Sequence, residues 1–322
     1  MVYTTSLVQY DYSVVVPVYN CQRSLSLLYE RLDAVFRQLK ARWEIVFVND
    51  CSRDQSWEVL TQLAKDHANV IAVNLQNNFG QHNALMCGFH HVHGRRVITM
   101  DDDLQHPPEE IPKLIAVLAK SSFSVVYGQY KQKNHGTFRD FCSKTVNRFL
   151  AKVTGSGYGV TSFRIMERNV VESIKRSSQY YVMVDVLIKD AVHSSLVGHC
   201  VVEHHSRTLG KSNYSFRKLA TYALNMIFNY TTLPLRMASV LGIFFSMVSF
   251  LFAVFFVLYY FVQGVAVSGW TSLILAITFF SGLILFVLGI LGEYIGRIFL
   301  HESNKPQFVV KEIIEGGKKH AF

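Results

Sequence analysis

Up to Gly128, short unbroken apolar runs alternate with segments whose apolar residues recur every three to four positions. Residues 13–18 (SVVVPV) form a β-branched run, and the following segment sets Leu25, Leu28, Leu32, Val35 and Leu39 at helical spacing over 24–39. The pairing repeats: EIVFV (44–48) with a helix predicted near 55–66, VIAVNL (70–75) with one near 81–92, RVITM (96–100) with one near 109–119, then SVVYG (124–128). Continuous apolar strands alternating with amphipathic helices predict an α/β fold with a mostly parallel sheet covered on both faces. Such sheets bind ligands beyond the carboxyl ends of their strands. The polar runs lie there: PVYN after the first strand, NDCSRDQS after the second and DDDLQ after the fourth. No GxGxxG opens the first helix and no GxxxxGK(S/T) occurs, so dinucleotide and P-loop readings lose their main support.

Beyond Gly128 the pattern changes. A helix is predicted near 137–153, a β-rich stretch over 195–207, and then an amphipathic segment mixing Arg217 and Lys218 with aromatics. From Met237 to Gly292 there is no Asp, Glu, Lys, Arg or His. A helix needs about 20 apolar residues to span a bilayer, so the block fits two spans, 237–262 and 270–292, joined by QGVAVSG. Arg236 precedes the first span, and Arg297 and Lys305 follow the second. The positive-inside rule then places both termini and the long part preceding the spans in the cytoplasm, in a multi-pass membrane protein. The expected organisation is a domain over 1–212, a juxtamembrane amphipathic helix over 213–235, two transmembrane helices over 236–292 and a cytoplasmic tail over 293–322. No cleavable signal peptide is expected in MVYTTSLVQYDYS.

Composition sharpens this. The 322 residues are 50% hydrophobic and 17% charged, with a net charge of +9 and five cysteines lacking CxxC spacing. The cysteines read as free thiols in a reducing compartment. No nucleic-acid signature accompanies the positive charge, so no nucleic-acid partner is expected. The basic residues gather in HSRTLGKSNYSFRK (205–218), which favours anionic lipid or a lipid phosphate. HHVH (90–93) falls at a helix end before Gly94, where cationic and polar residues suit the helix dipole.

Asp101, Asp102 and Asp103 follow the apolar VITM. Carboxylates packed this closely repel one another. A hard divalent cation relieves that repulsion, and oxygen ligands suit Mg²⁺ or Mn²⁺ shared with a diphosphate. Alternation along a strand end points Asp101 and Asp103 the same way and Asp102 elsewhere. A solvated acidic turn is the alternative.

VVVPVYN, FVNDCSRDQS, NNFGQHNALMCGF, MDDDLQHPPEEIP, SFRIMER, RTLGKSNYS and GEYIGRI follow, in order, the motifs of family-2 glycosyltransferases of the Rossmann-like GT-A fold. The chain resembles their polyprenyl-phosphate subgroup, which includes dolichol-phosphate mannose synthase, bactoprenol glucosyltransferases and the undecaprenyl-phosphate formamido-arabinose transferase. That resemblance implies an inverting transfer of a sugar from a nucleotide sugar, UDP ahead of GDP, to undecaprenyl phosphate. Pro17, Tyr19, Asn20, Asp50, Asp101, Asp102 and Gln105 would bind nucleotide and sugar, with Asp50 facing the base. Asp101, Asp103 and Gln105 would hold Mg²⁺ or Mn²⁺. Arg164, Arg207, Lys211, Ser212 and Tyr214 would hold the lipid phosphate, and Asp101, Asp103, Arg164 and Arg207 would be catalytic. A phosphate nucleophile is already anionic, so no strong general base is required. The chain departs from the family at Cys21, where Glu is usual, at Gln76–Gly80, where many members read RNFG, and in GSGYGVTSFR, which lacks an acidic residue. A catalytically degenerate scaffold or flippase partner and a processive polysaccharide synthase stand as alternatives. Paired spans leave a homo-oligomer open.

Overall fold

The computed structural model describes residues 10–130, 161–177, 182–203, 233–263, 269–302 and 305–321. In chain order the elements are β1 (Tyr10–Val18), α1 (Leu25–Leu39), β2 (Trp43–Asn49), α2 (Ser56–Asp66), β3 (Val70–Leu75), α3 (Gln81–Phe89), β4 (Gly94–Thr99), α4 (Ile111–Lys120), β5 (Val125–Tyr130), β6 (Arg164–Glu167), α5 (Arg168–Ile174), α6 (Val184–Ala191), β7 (Val197–Val202), α7 (Leu233–Gln263), α8 (Trp270–Glu302), β8 (Val310–Glu315) and β9 (Lys318–Ala321). The described strands join one sheet in the order β7-β5-β6-β4-β1-β2-β3-β8-β9.

The central strands β3, β2, β1 and β4 are parallel. They are apolar on both faces because both faces are covered. Val14, Val16, Ile45 and Phe47 pack with α1, α2 and α4, while Val15, Val46, Val48 and Val97 pack with α3 and α5. Helix α3 lies so close that a Cβ on Gly88 would fall 2.4 Å from Val15 Cγ1. The mostly parallel expectation holds for this centre, and β5 and β7 also pair parallel, but the sheet as a whole is mixed. β6 runs antiparallel to both β4 and β5, and β8 antiparallel to β3 and β9.

The last residues also depart from expectation. Residues 293–302 continue α8, and 310–321 are strands of the sheet rather than a tail. Ile313 and Ile314 are adjacent and both buried, one in each core face, as alternation along a strand requires. The contacts accordingly divide the chain into 1–212 with 306–322 as one compact unit, and 213–305 as another.

In the second unit, α7 and α8 are long and apolar enough to cross a membrane, with mean hydropathy 1.9 over Pro234–Phe252 and over Phe279–Gly296. The described phenylalanines and leucines of these helices are largely exposed, a surface that suits lipid better than water. The predicted helix near 137–153 and residues 213–232 of the juxtamembrane segment lie outside the described residues.

At the amino ends of the strands sits a buried polar knot. Glu44 Oε1 accepts from Ser13 Oγ (2.5 Å) and the His93 amide (2.5 Å), and Glu44 Oε2 lies 3.0 Å from His93 Nδ1. The hydrogen bond to Glu44 raises the His93 pKa, burial opposes it, and Glu44 and Glu315 add attraction against repulsion from Arg168. A raised histidine stabilises the fold fully below its unfolded pKa, about 6.5. That contribution is lost as pH rises through the higher folded value. His91 works in a lower window: burial pushes it down to about 4, so its contribution is present above the unfolded value and lost as pH falls towards 4. Thermal melts across pH should therefore show His93→Gln removing a stability loss above about pH 6.5. The acid limb below that pH should be unchanged.

Candidate active site

β1 has β2 on one side and β4 on the other. Chain connections leave in opposite directions there, and a crevice opens at the carboxyl ends. The four loops beyond the parallel strands each contain one residue in the left-handed region: Asn20 (φ 56°), Cys51 (φ 56°), Gly80 (φ 86°) and Leu104 (φ 60°). For a non-glycine residue this costs roughly 1–3 kcal/mol and persists where surrounding contacts over-determine it.

Those contacts are present. The Tyr19 amide donates to Asp102 Oδ2 (3.2 Å), and Ser24 Oγ donates to the Asp102 carbonyl (2.6 Å), tying the β1 loop to the β4 loop. The Asn20 amide donates to Ser52 Oγ (3.0 Å), and Asn20 Oδ1 accepts from the Arg53 amide (2.8 Å), tying it to the β2 loop. Pro17 is buried at the end of β1 opposite Val48, and Tyr19 is 45% exposed at the mouth.

Asp50 corrects an expectation. Rather than standing open towards a base, its carboxylate accepts the amides of Phe79 (2.7 Å) and Gly80 (2.8 Å) and is 4% exposed. Burial raises its pKa and the two amides pull it back. It fixes the loop that starts α3. A carboxylate has about four lone-pair positions, so those two bonds still leave acceptor capacity.

The three aspartates diverge. β4 ends at Thr99, so they lie in a turn beyond the strand. Asp101 accepts from Gln81 Nε2 (2.7 Å) and Ser162 Oγ (2.6 Å). Asp102 turns to the β1 loop, where it meets the Tyr19 amide and the Cys21 thiol. Asp103 Oδ1 accepts the Gln105 amide within its own turn (3.1 Å). Burial raises the Asp101 pKa, with Asp103 repulsion adding and Ser162, Arg164 and Gln81 opposing. Burial likewise pushes Asp102 up to about 7, against the bonds from Cys21 and Tyr19, while Asp101 and Asp103 repel it further.

A cation would relieve this concentration of charge, and oxygen donors match Mg²⁺ or Mn²⁺. No three His, Cys, Asp or Glu residues close around a single point among the described residues. The protein would thus supply a partial shell from Asp101 and Asp103. Mg²⁺ is commonly held that way, with substrate phosphates and water completing the coordination.

Arg164 is also corrected. It opens β6 and is 1% exposed. Its Nε donates to Thr99 Oγ1 (3.1 Å), its Nη1 pairs with Asp185, and its guanidinium lies 5.8 Å from the Tyr127 ring centroid. A guanidinium enclosed in this way braces the floor beneath Asp101. Arg207, Lys211, Ser212 and Tyr214 lie outside the described residues. Gln81, Ser162 and Ser24 bond the acidic turn and were missed as site residues. A polar residue following Phe-Gly at the start of α3 was the available signal for Gln81, and membership of the SFRIMER motif was the signal for Ser162; Ser24 carried none.

Residues 13–175 match the family described as glycosyl transferase family 2. Undecaprenyl-phosphate 4-deoxy-4-formamido-L-arabinose transferase of Photorhabdus laumondii is 35% identical over 95% of this chain and 95% of its own. The transferase of the same name from Serratia proteamaculans is 36% identical over 96% and 95%. Among solved structures, glucosyl-3-phosphoglycerate synthase of Mycobacterium tuberculosis, in complex with Mn²⁺, UDP-glucose and phosphoglyceric acid, shares the fold. It has a TM-score of 0.51 at 14% identity and covers 68% of this chain and 78% of that one. With the family match spanning the central strands and the loops beyond them, and relatives alike along nearly the whole length, the chain belongs to glycosyl transferase family 2 and is a glycosyltransferase.

Proposed function

We propose that the protein transfers a sugar, with inversion, from a nucleoside-diphosphate sugar to undecaprenyl phosphate at the cytoplasmic face of the inner membrane. The observation that carries this reading is the end-to-end likeness to transferases named for that acceptor, spans included. UDP is favoured over GDP, and the sugar is a hexose or a modified aminosugar, with 4-deoxy-4-formamido-L-arabinose the first to test.

The diphosphate would lie over the acidic turn, with the nucleoside between the β1 and β2 loops at Pro17, Tyr19, Asn20 and Asp50. Asp101, Asp103 and the Gln105 turn would hold Mg²⁺ or Mn²⁺, which when bound supplies positive charge to the leaving diphosphate. Asp102 holds the β1 loop against the turn and sets the width of the crevice. The basic segment carrying Arg207, Lys211, Ser212 and Tyr214 would receive the lipid phosphate, since cations and hydroxyl donors suit that group. The phosphate attacks the anomeric carbon as an anion, so the site needs charge and alignment more than a base. Both termini would lie in the cytoplasm, with α7 and α8 in the membrane.

Purified full-length protein with undecaprenyl phosphate, Mn²⁺ and a panel of UDP- and GDP-sugars should yield one glycolipid, identified by mass spectrometry. Excess EDTA should abolish its formation, and added Mn²⁺ or Mg²⁺ should restore it. Turnover that persists in EDTA would refute the metal assignment. Bound nucleotide sugar with no nucleoside diphosphate released on adding lipid phosphate would point instead to a catalytically silent scaffold.

A further inference from the structure

The C-terminal hairpin carries polar side chains into the sheet where only apolar packing is needed. Glu312 on β8 is 7% exposed, Asn74 on β3 6% and Asn49 on β2 2%. They sit on three neighbouring strands, and Asn74 is registered with both Asn49 and Glu312. Glu312 pairs with Lys319 of β9, and its Oε1 accepts from Asn74 Nδ2 at 3.1 Å. Asn74 Oδ1 then accepts from Asn49 Nδ2 at 2.8 Å.

The line continues into the crevice. Asn49 Oδ1 accepts the Ser52 amide at 3.3 Å, and Ser52 Oγ accepts the Asn20 amide at 3.0 Å. Both Cys51 and Asn20 hold left-handed backbone along this line. Asn49 also immediately precedes Asp50, which fixes the 79–80 turn. Buried polar groups are costly unless satisfied, and a fully connected network fixes the orientation of each member. Each amide here has its donor side set by the next acceptor. The direction of the line is set at its outer end, where a carboxylate can only accept.

We propose that Glu312 is a positioning residue for the nucleotide-binding loops, acting through Asn74 and Asn49 on the turn at 50–53 and, through Ser52, on Asn20. The C-terminal hairpin is thereby a working part of the donor site. This rests on the nucleotide-sugar reading above. An edge hairpin whose role was packing alone would need Ile313 and Ile314, but neither Glu312 nor the two asparagines.

The test is made on the full-length protein. Asn74→Asp keeps the acceptor for Asn49 but turns the donor to Glu312 into a second carboxylate. It should raise KM for the UDP-sugar about tenfold, the size expected for one broken buried bond. kcat and KM for undecaprenyl phosphate should stay within about twofold. Asn74→Asp with Glu312→Gln restores the bond with donor and acceptor exchanged and should recover most of the KM. Glu315→Ala, exposed on the same hairpin, should leave KM unchanged. Should Asn74→Asp fail to fold, Glu312→Met removes the acceptor without opposing charges, and the Kd for UDP should weaken by a similar factor. An unchanged KM or Kd, or no recovery in the exchange variant, overturns the proposal. UDP binding reads the line of side chains without transfer, so wild-type protein that binds UDP but does not glycosylate undecaprenyl phosphate counts against the acceptor reading alone.

Discussion

Asp103→Ala should lower kcat for sugar transfer by at least about 10²–10³-fold, the loss typical when one preorganised group stabilising developing charge is removed. The fold should survive, because Asp103 accepts the Gln105 amide within its own turn (3.1 Å) while its neighbours bond other elements. Asp101 is tied to α3 and to Ser162, two residues before β6, and Asp102 to the β1 loop. Substituting either neighbour therefore mixes lost chemistry with lost structure more than substituting Asp103 does. Steady-state kinetics with Mn²⁺ titrated from micromolar to millimolar would show a deficit that added metal does not repair. Thermal melts of the same preparation should overlay the wild type. Turnover near wild type would remove Asp103 from the metal set. A large fall in melting temperature would show instead that the turn, conditioned by Leu104 at φ 60°, depends on it for shape.

The central sheet was legible because its strands are buried on both faces and so read as unbroken apolar runs. The predicted strand over 70–75 and the end of α1 at residue 39 match Val70–Leu75 and Leu39 in the structure. Helix α3 was overdrawn, stopping at Phe89 rather than 92. The flanks were harder. VKEIIE carries three charges in six residues and lies beyond a membrane-length helix, and the contact that makes it a strand is with β3, some 240 positions earlier. No local period encodes such a pairing. The polar runs do lie in the loops beyond the parallel strands, as their positions at the ends of apolar runs implied. The hydrogen-bond economy within those loops was not legible: that Asp50 is engaged by the Phe79 and Gly80 amides depends on how the loops fold back. Cys21, read as a departure where glutamate is usual, turns out to bond Asp102; a second carboxylate there would add to a turn that already concentrates three.

Arg164 distinguishes what its motif implies from what its surroundings impose. As a phosphate-holding residue, its loss would raise KM for the lipid and leave stability alone. Its enclosure predicts the reverse. Arg164→Met leaves the Asp185 carboxylate without its counter-ion, withdraws the donor from Thr99 and removes a positive charge that favours ionised Asp101. Removing one member of a buried pair costs about 3–5 kcal/mol, so thermal or denaturant unfolding of the full-length variant should reveal a large loss of stability. Arg164→Lys should fall between, because an ammonium keeps the charge but not the planar fork that reaches Thr99 and Asp185 together. The decisive comparison is Arg164→Met with Asp185→Leu. Replacing both ions by apolar side chains of similar volume is often neutral, so the double variant should regain most of the stability lost by the single one. Its transfer rate should still lag, because Asp101 would face the cleft without the cation beneath it. A single variant of wild-type stability whose only defect is a raised KM for undecaprenyl phosphate would return Arg164 to the acceptor site.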